Sequence, residues 1–297
     1  MSRREAREFN LIKENMTLTR VSGKINFTYP LVKAPSVLQN NQKQAESMAA
    51  GLEKRLQKNN QLDVYNEEFR DFVKRGVIKE ITEEMDSWFS PVNIISHNGV
   101  VKPGSVTTKL RIVSDSSLDN NNQGVSYNDC LAKGPNSLTP LIQVLVTWRS
   151  YEHVVVWDLY KAYNSIVTGD PEMHAGRLVW RFGDTSKKFK VYGFRVMTFG
   201  DKPAACGLEI AKELVVEAGE DVCAETARIM RQGSYVDDSM GGGDQETVNK
   251  LVGKVENVDG HLSHSGTVSQ IFSIGGMRPK VMVRDGEQDP AVVGLLR

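Results

Sequence analysis

SYVDDSMGGG, Ser234 to Gly243, sets two adjacent carboxylates, Asp237 and Asp238, between a short apolar strand and three glycines. That order predicts a hairpin that turns at the glycines and projects both acids from its tip. Upstream, VVVWDLYKAY, Val154 to Tyr163, runs three valines and a tryptophan into Asp158, so this acid ends a buried strand. With the two strands as neighbours, three carboxylates converge on one spot. Like charges that close stay ionised together only when a cation neutralises them. Oxygen-only ligands on strands suit Mg²⁺ or Mn²⁺ rather than zinc. Two such ions about 4 Å apart can activate a hydroxyl nucleophile and steady a leaving phosphate. Taken singly, an Asp-Asp pair after a strand reads as a solvated turn, and Asp158 as a helix N-cap.

The chain has 297 residues, enough for one large domain or two small ones with a real core. Its 40% hydrophobic and 25% charged residues are ordinary globular composition. With 37 basic and 37 acidic side chains the formal charge is zero, so a nucleic-acid partner would need a locally basic channel. Cys130, Cys206 and Cys223 are odd in number and far apart, which fits a reducing compartment and neither zinc nor a disulfide framework. No apolar run approaches the ~18 residues of a membrane span. The N-terminus MSRREAREFN has no apolar core behind its charges, so it is not read as a secretory signal.

Residues 1 to 40 read as a lead-in with a short helix at Ser2 to Asn15 and an extended INFTYPLVKAP. Ala45, Met48, Ala49, Leu52 and Leu56 then mark one helical face. Tyr65, Phe69, Phe72 and Val73 mark a second, stopped at Gly76. SPVNIISHNGVVKPGSVTTKLRIVSD reads as two strands around a Gly-Pro turn, with Lys109, Arg111 and Val113 on one pleat face. Two cations on one such face suit a triphosphate. His97 is read as satisfying a backbone group rather than a metal. Ser137 is the predicted N-cap of a helix with Leu141, Ile142, Leu145 and Trp148 inward. A hairpin follows over Arg177 to Phe182 and Lys188 to Arg195, and Pro203 opens a helix carrying Leu208, Ala211, Leu214 and Val215. Val248, Leu251, Val252 and Val255 predict another helix, and Lys280 to Val283 a strand ending near Gly286. His261 and His264, with no cysteine pair or acid at ligand spacing, read as a surface hairpin. The order from Asp158 onward predicts an α+β fold: a helix-backed antiparallel sheet of the split βαβ, ferredoxin-like kind.

The strings YVDD and DLYKAY resemble motifs C and A of reverse transcriptases. TTKLRIVSDSS, SYNDCLAKGPNSL, WDLYKAYNSI, FGDKPAACGLE and SYVDD together resemble the reverse transcriptase of Bel/Pao-type LTR retrotransposons. INFTYPL, LEKRL and SPVNIISHNGVVKP resemble the upstream part of that family, so the likeness covers about residues 25 to 297. It implies the fingers and palm of a right-hand polymerase. The division would be a lead-in at 1–40, fingers at 41–150 (helical, then a β-hairpin), palm at 151–170, a fingers hairpin at 171–198 and palm at 199–297.

The implied activity is RNA-directed DNA polymerisation by two-metal nucleotidyl transfer from a dNTP to a primer 3′-hydroxyl, with two Mg²⁺ or Mn²⁺ ions. The resemblance makes Asp158, Asp237 and Asp238 the metal-binding acids, with the Leu159 carbonyl completing a coordination sphere. Tyr163 becomes the ring that excludes a ribose 2′-hydroxyl, and Lys109 and Arg111 the triphosphate grip. Gly200 and Pro203 become the motif that passes close to template and nucleotide, and Lys280 a proton donor to pyrophosphate. Implied partners are an RNA or DNA template with primer and the rest of the polyprotein, including a thumb and ribonuclease H, with no membrane. The implied setting is the cytoplasm or an intracellular retroelement particle. Two departures stand out: Asp201 occupies a position the family fills with small or apolar residues, and the thumb is absent before Arg297. The other readings are a catalytically silent truncated remnant that binds nucleic acid or protein, and a non-polymerase palm such as a nucleotide cyclase.

Overall fold

The computed structural model describes residues 1–86, 93–101, 110–119, 124–136, 139–253, 255–258 and 261–284. The chain begins with α1 (Arg3–Glu14), β1 (Met16–Thr19), β2 (Lys24–Phe27), α2 (Gln42–Lys58), α3 (Leu62–Lys74), β3 (Ile78–Glu80), α4 (Glu83–Asp86), β4 (Ser96–Val101) and β5 (Leu110–Asp115). It continues with α5 (Leu141–Arg149), β6 (His153–Leu159), β7 (Ile166–Thr168), α6 (Asp170–Ala175), β8 (Arg177–Trp180), β9 (Lys190–Phe194), α7 (Ala204–Ala218) and α8 (Glu220–Gln232). Last come β10 (Ser234–Tyr235), β11 (Asp238–Gly243), α9 (Gln245–Val252), β12 (Val255–Val258), β13 (His261–His264), α10 (Thr267–Ser273) and β14 (Pro279–Arg284). The fold is mixed α+β with small antiparallel sheets. No described helix is long and apolar enough to cross a membrane. Two compact units divide the chain: 1–15, 26–135 and 166–204 form one, and 16–25, 136–165 and 205–297 the other.

In the first unit, α2 and α3 bury the faces their sequence spacing predicts. Leu52, Leu56, Tyr65 and Phe69 close on Leu178, Trp180, Tyr192 and Phe194 of β8 and β9. Each such side chain stabilises by about 1.5–3 kcal/mol on leaving water. Met48 and Val73, assigned to these faces, are instead exposed. Gly76, at φ 70°, ends α3 in the left-handed conformation that a residue without Cβ adopts freely, and Val77 N–H bonds back to Phe72 O at 2.9 Å. α1 opens on a capping box between Ser2 and Glu5. His97 behaves as its sequence context suggests: Nε2 meets Val179 O at 2.9 Å and Nδ1 meets the Tyr65 hydroxyl.

In the second unit, β10, β11, β6 and β14 form one antiparallel sheet in that order. β6 and β10 run the same way with β11 between them, and β11 and β14 do so with β6 between them. This is the predicted split βαβ arrangement. Val155, Trp157 and Leu159 are buried on one face of β6, whereas Val154, Val156 and Asp158 on the other are half-buried. Helices α8, α9 and α10 supply Ile229, Met230, Val248, Leu251, Val268, Ile271 and Phe272 to the unit's buried core.

Three further local expectations need correction. α5 turns Val144 and Trp148 inward, while Leu141 and Ile142 are exposed, Ile142 at 74%. In a run as uniformly apolar as LIQVLV, spacing does not choose the face. Ser137 lies outside the described residues, and the residue before α5 is Pro140, which makes no side-chain cap. A second helix, α8, stands between α7 and the acidic hairpin. Val255 belongs to the β12–β13 hairpin, because α9 stops at Gly253 with φ 61°. That hairpin also takes in His261 and His264.

Candidate active site

Strand register sets the site in the second unit. Asp158 on β6 has Asp238 of β11 as its Cα partner on one side and Lys280 of β14 on the other. Directly paired residues project from the same face, so Asp238, Asp158 and Lys280 form one row across three strands. Facing carboxylates on neighbouring strands destabilise a sheet, so packing alone gives no reason for this pair. Burial first, then the charges of Asp237 and Asp158, push the Asp238 carboxyl above its ordinary pKa. Lys280 stands on the far side of Asp158 in the register, with its ammonium 4.7 Å from the centre of the Tyr160 ring.

Asp237 sits in the two-residue turn between β10 and β11, and here the structure departs from the sequence reading. The turn is made by Val236 and Asp237, while Gly241, Gly242 and Gly243 lie within β11. Val236 takes φ +54°, a conformation that a β-branched residue adopts only under strain of about 1–3 kcal/mol. The glycines serve packing instead. A Cβ at Gly241 would come within 2.6 Å of Ile229 and 2.9 Å of the Trp157 ring, so bare backbone lets α8 close on the sheet. Asp237 is tied to β6 through its own carbonyl, which accepts from Leu159 N–H at 3.0 Å.

The sequence reading missed Lys212 and Glu209. Lys212 on α7 is 4% exposed and donates to Ser234 Oγ at 2.7 Å and to the carbonyl of Val236. It also pairs with Glu209 Oε1 at 2.7 Å. Burial lowers the ammonium's pKa, and Glu209 and Asp237 oppose that shift. A signal was present: Leu208, Ala211, Lys212 and Val215 fall at i, i+3, i+4 and i+7, so the lysine lies on the apolar stripe. Tyr163, half-buried, has its phenol pKa raised by burial and then by Asp237 and Glu209.

Arg111, Gly200 and Pro203 belong to the first unit. Arg111 is exposed on β5 beside buried Leu110 and Ile112, as the alternation predicts; Lys109 lies outside the described residues. A Cβ on Gly200 would stand 2.6 Å from Ser114 O, so β5 accounts for the glycine. Pro203 is buried immediately before α7. Asp201, which departs from the pattern of the resembled motif, is buried. Ser116 Oγ donates to it at 2.6 Å, as does the Tyr29 hydroxyl, and burial raises its pKa. Asn128 fixes the flanking residues: its Nδ2 donates to Gly200 O at 2.9 Å and its Oδ1 accepts from Lys202 N–H at 2.8 Å. Tyr29 and Asn128 come from INFTYPL and SYNDC, which gives those strings a structural task.

The carboxylates at β6 and the β10–β11 turn are an all-oxygen set suited to a hard divalent cation. Among the described residues, no three acidic, imidazole or thiol groups are gathered closely enough to hold an ion as the side chains lie. The donor chemistry fits such an ion, and the mutual repulsion recorded at Asp238 is what a cation would relieve.

No known family profile and no curated protein matches this chain. Among solved structures, one similar chain is a foamy viral protease-reverse transcriptase in complex with an RNA/DNA hybrid, at 13% identity and a TM-score of 0.41. The alignment covers 61% of this chain and 20% of that one, so the matched part spans a fifth of the neighbour's length.

Proposed function

We propose that this chain comprises the fingers and palm of an RNA-directed DNA polymerase of the Bel/Pao retrotransposon type, with the β6 sheet as its palm. The observation that carries the reading is the register setting Asp158 opposite Asp238, with Asp237 in the adjoining turn. Asp158, Asp237 and Asp238, with the Leu159 carbonyl, would hold two Mg²⁺ or Mn²⁺ ions, which when bound activate a primer hydroxyl and stabilise departing pyrophosphate. Tyr163, whose phenol feels the Asp237 charge, would bar a ribose 2′-hydroxyl by bulk. Arg111 and Lys109 would bind triphosphate oxygens through charge-assisted hydrogen bonds. Gly200 and Pro203 would shape the loop beside template and nucleotide, and Asp201 would anchor that loop from within. Lys280, in line with Asp158, would donate the proton that pyrophosphate takes up.

The partners are then a primed RNA or DNA template, a dNTP and the remainder of a retroelement polyprotein, acting in the cytoplasm or an intracellular particle. Primer extension on an RNA template with Mg²⁺ and dNTPs tests this. The native chain should extend the primer, and Asp237→Asn should lose roughly a thousandfold or more in rate. Equal background signals from both folded proteins would refute the reading. They would favour a silent nucleic-acid- or protein-binding remnant, for which the observation is the lack of a ready-made three-ligand cluster among the described residues.

A further inference from the structure

We propose that Lys212 is a positioning residue that holds the Val236–Asp237 turn in its strained conformation and so aims the Asp237 carboxylate; this rests on the polymerase reading above. The turn has two backbone ties. On one side Asp237 O accepts from Leu159 N–H at 3.0 Å. On the other, the Val236 carbonyl accepts from the Lys212 ammonium, which also bonds Ser234 Oγ at 2.7 Å. The Val236 carbonyl belongs to the peptide group that leads into Asp237, so fixing its direction, together with the Asp237 carbonyl held by Leu159, limits where the Asp237 Cα–Cβ bond points. Valine at φ +54° relaxes toward the extended region unless its surroundings prevent it. A buried ammonium is costly to place, and a surface lysine or a neutral residue would serve α7 at least as well for packing. Glu209, one turn earlier on α7, pairs with the ammonium at 2.7 Å and keeps it charged where it meets the turn. Lys212 thus spends a helix position on the hairpin rather than on the core.

The test uses the full chain carrying Lys212→Met, alone and in a Val236→Gly background, with amide hydrogen exchange and primer extension as readouts. Exchange needs neither metal nor activity. Leu159 N–H, bonded to Asp237 O, should exchange about ten- to hundredfold faster in Lys212→Met, the loss of one charged hydrogen bond, while α9 amides keep their rates. Extension should fall by a similar factor. With glycine at 236 the positive φ costs nothing, so Lys212→Met should then change both readouts much less. Should Lys212→Met alone fail to fold, Lys212→Gln, a shorter neutral donor, carries the same expectations. Unchanged Leu159 exchange in a folded variant, or an equal loss in both backgrounds, would overturn the role of Lys212. Faster Leu159 exchange in a chain whose native form never extends a primer would sink the polymerase reading and leave the turn clamp standing.

Discussion

Two buried tryptophans show how differently the units are built. Trp180, in the first unit, donates from Nε1 to Asn66 at 2.9 Å and packs against Tyr65 and Phe69, with His97 bonded on both ring nitrogens nearby. Trp157, in the second, is as deeply buried, yet its Nε1 finds no partner among the described residues. The next residue, Asp158, faces a like charge, and the hairpin paired with it turns on a strained valine backed by a buried lysine. The first arrangement is one that stability alone would select. The second carries unfavourable features side by side, the kind of arrangement that the proposed chemistry would call for.

Substitutions can break this contrast or sharpen it. Trp180→Phe removes ring volume and strands the Asn66 oxygen, so it should cost about 3 kcal/mol in urea unfolding. Trp157→Phe removes similar volume but also an unmet N–H, and should cost less than about 1 kcal/mol. Equal costs would erase the distinction.

Acid should strike the first unit next. Burial pushes the His97 pKa down to about 4, against an ordinary value of 6.5. Between those values the unfolded chain binds a proton that the folded chain does not, so stability falls as pH drops through that window. From pH 7 to 5 the loss should be about 2 kcal/mol, read as a falling Tm, and His97→Gln should remove that pH dependence.

The smallest effect has the opposite sign. Asp238 has a raised pKa, so its charge opposes folding above the ordinary carboxylate range and ceases to matter at acid pH. Asp238→Asn should therefore stabilise the chain by about 0.5 kcal/mol at pH 7 and by nothing near pH 3. Thermal melts at the two pH values measure it.

Much of this was legible in the residues. The apolar run VVVW leading into Asp158 marked a strand with this acid near its end, and most of the stripe positions of α2 and α3 named core contacts. The strand–helix–hairpin order gave the split sheet because few topologies satisfy it. Long-range contacts stayed hidden. Three glycines after two acids resemble a turn, and only the neighbours in the fold, Ile229 and Trp157 at Gly241 and His153 and Tyr151 at Gly242, show packing surface there. Asp201 reads as an anion near phosphate until Tyr29 and Ser116 are seen around it. Lys212 lay in plain view on an apolar stripe, but its acceptors are more than 20 residues away.

The central claim is that Asp158, Asp237 and Asp238 share divalent cations, and a Mn²⁺ titration followed by electron paramagnetic resonance addresses it without any need for turnover. The native chain with bound dNTP and primed template should take up two Mn²⁺, and Asp158→Asn should lose at least one of them. Absence of Mn²⁺ binding by the native complex, or identical binding by Asp158→Asn, would contradict it.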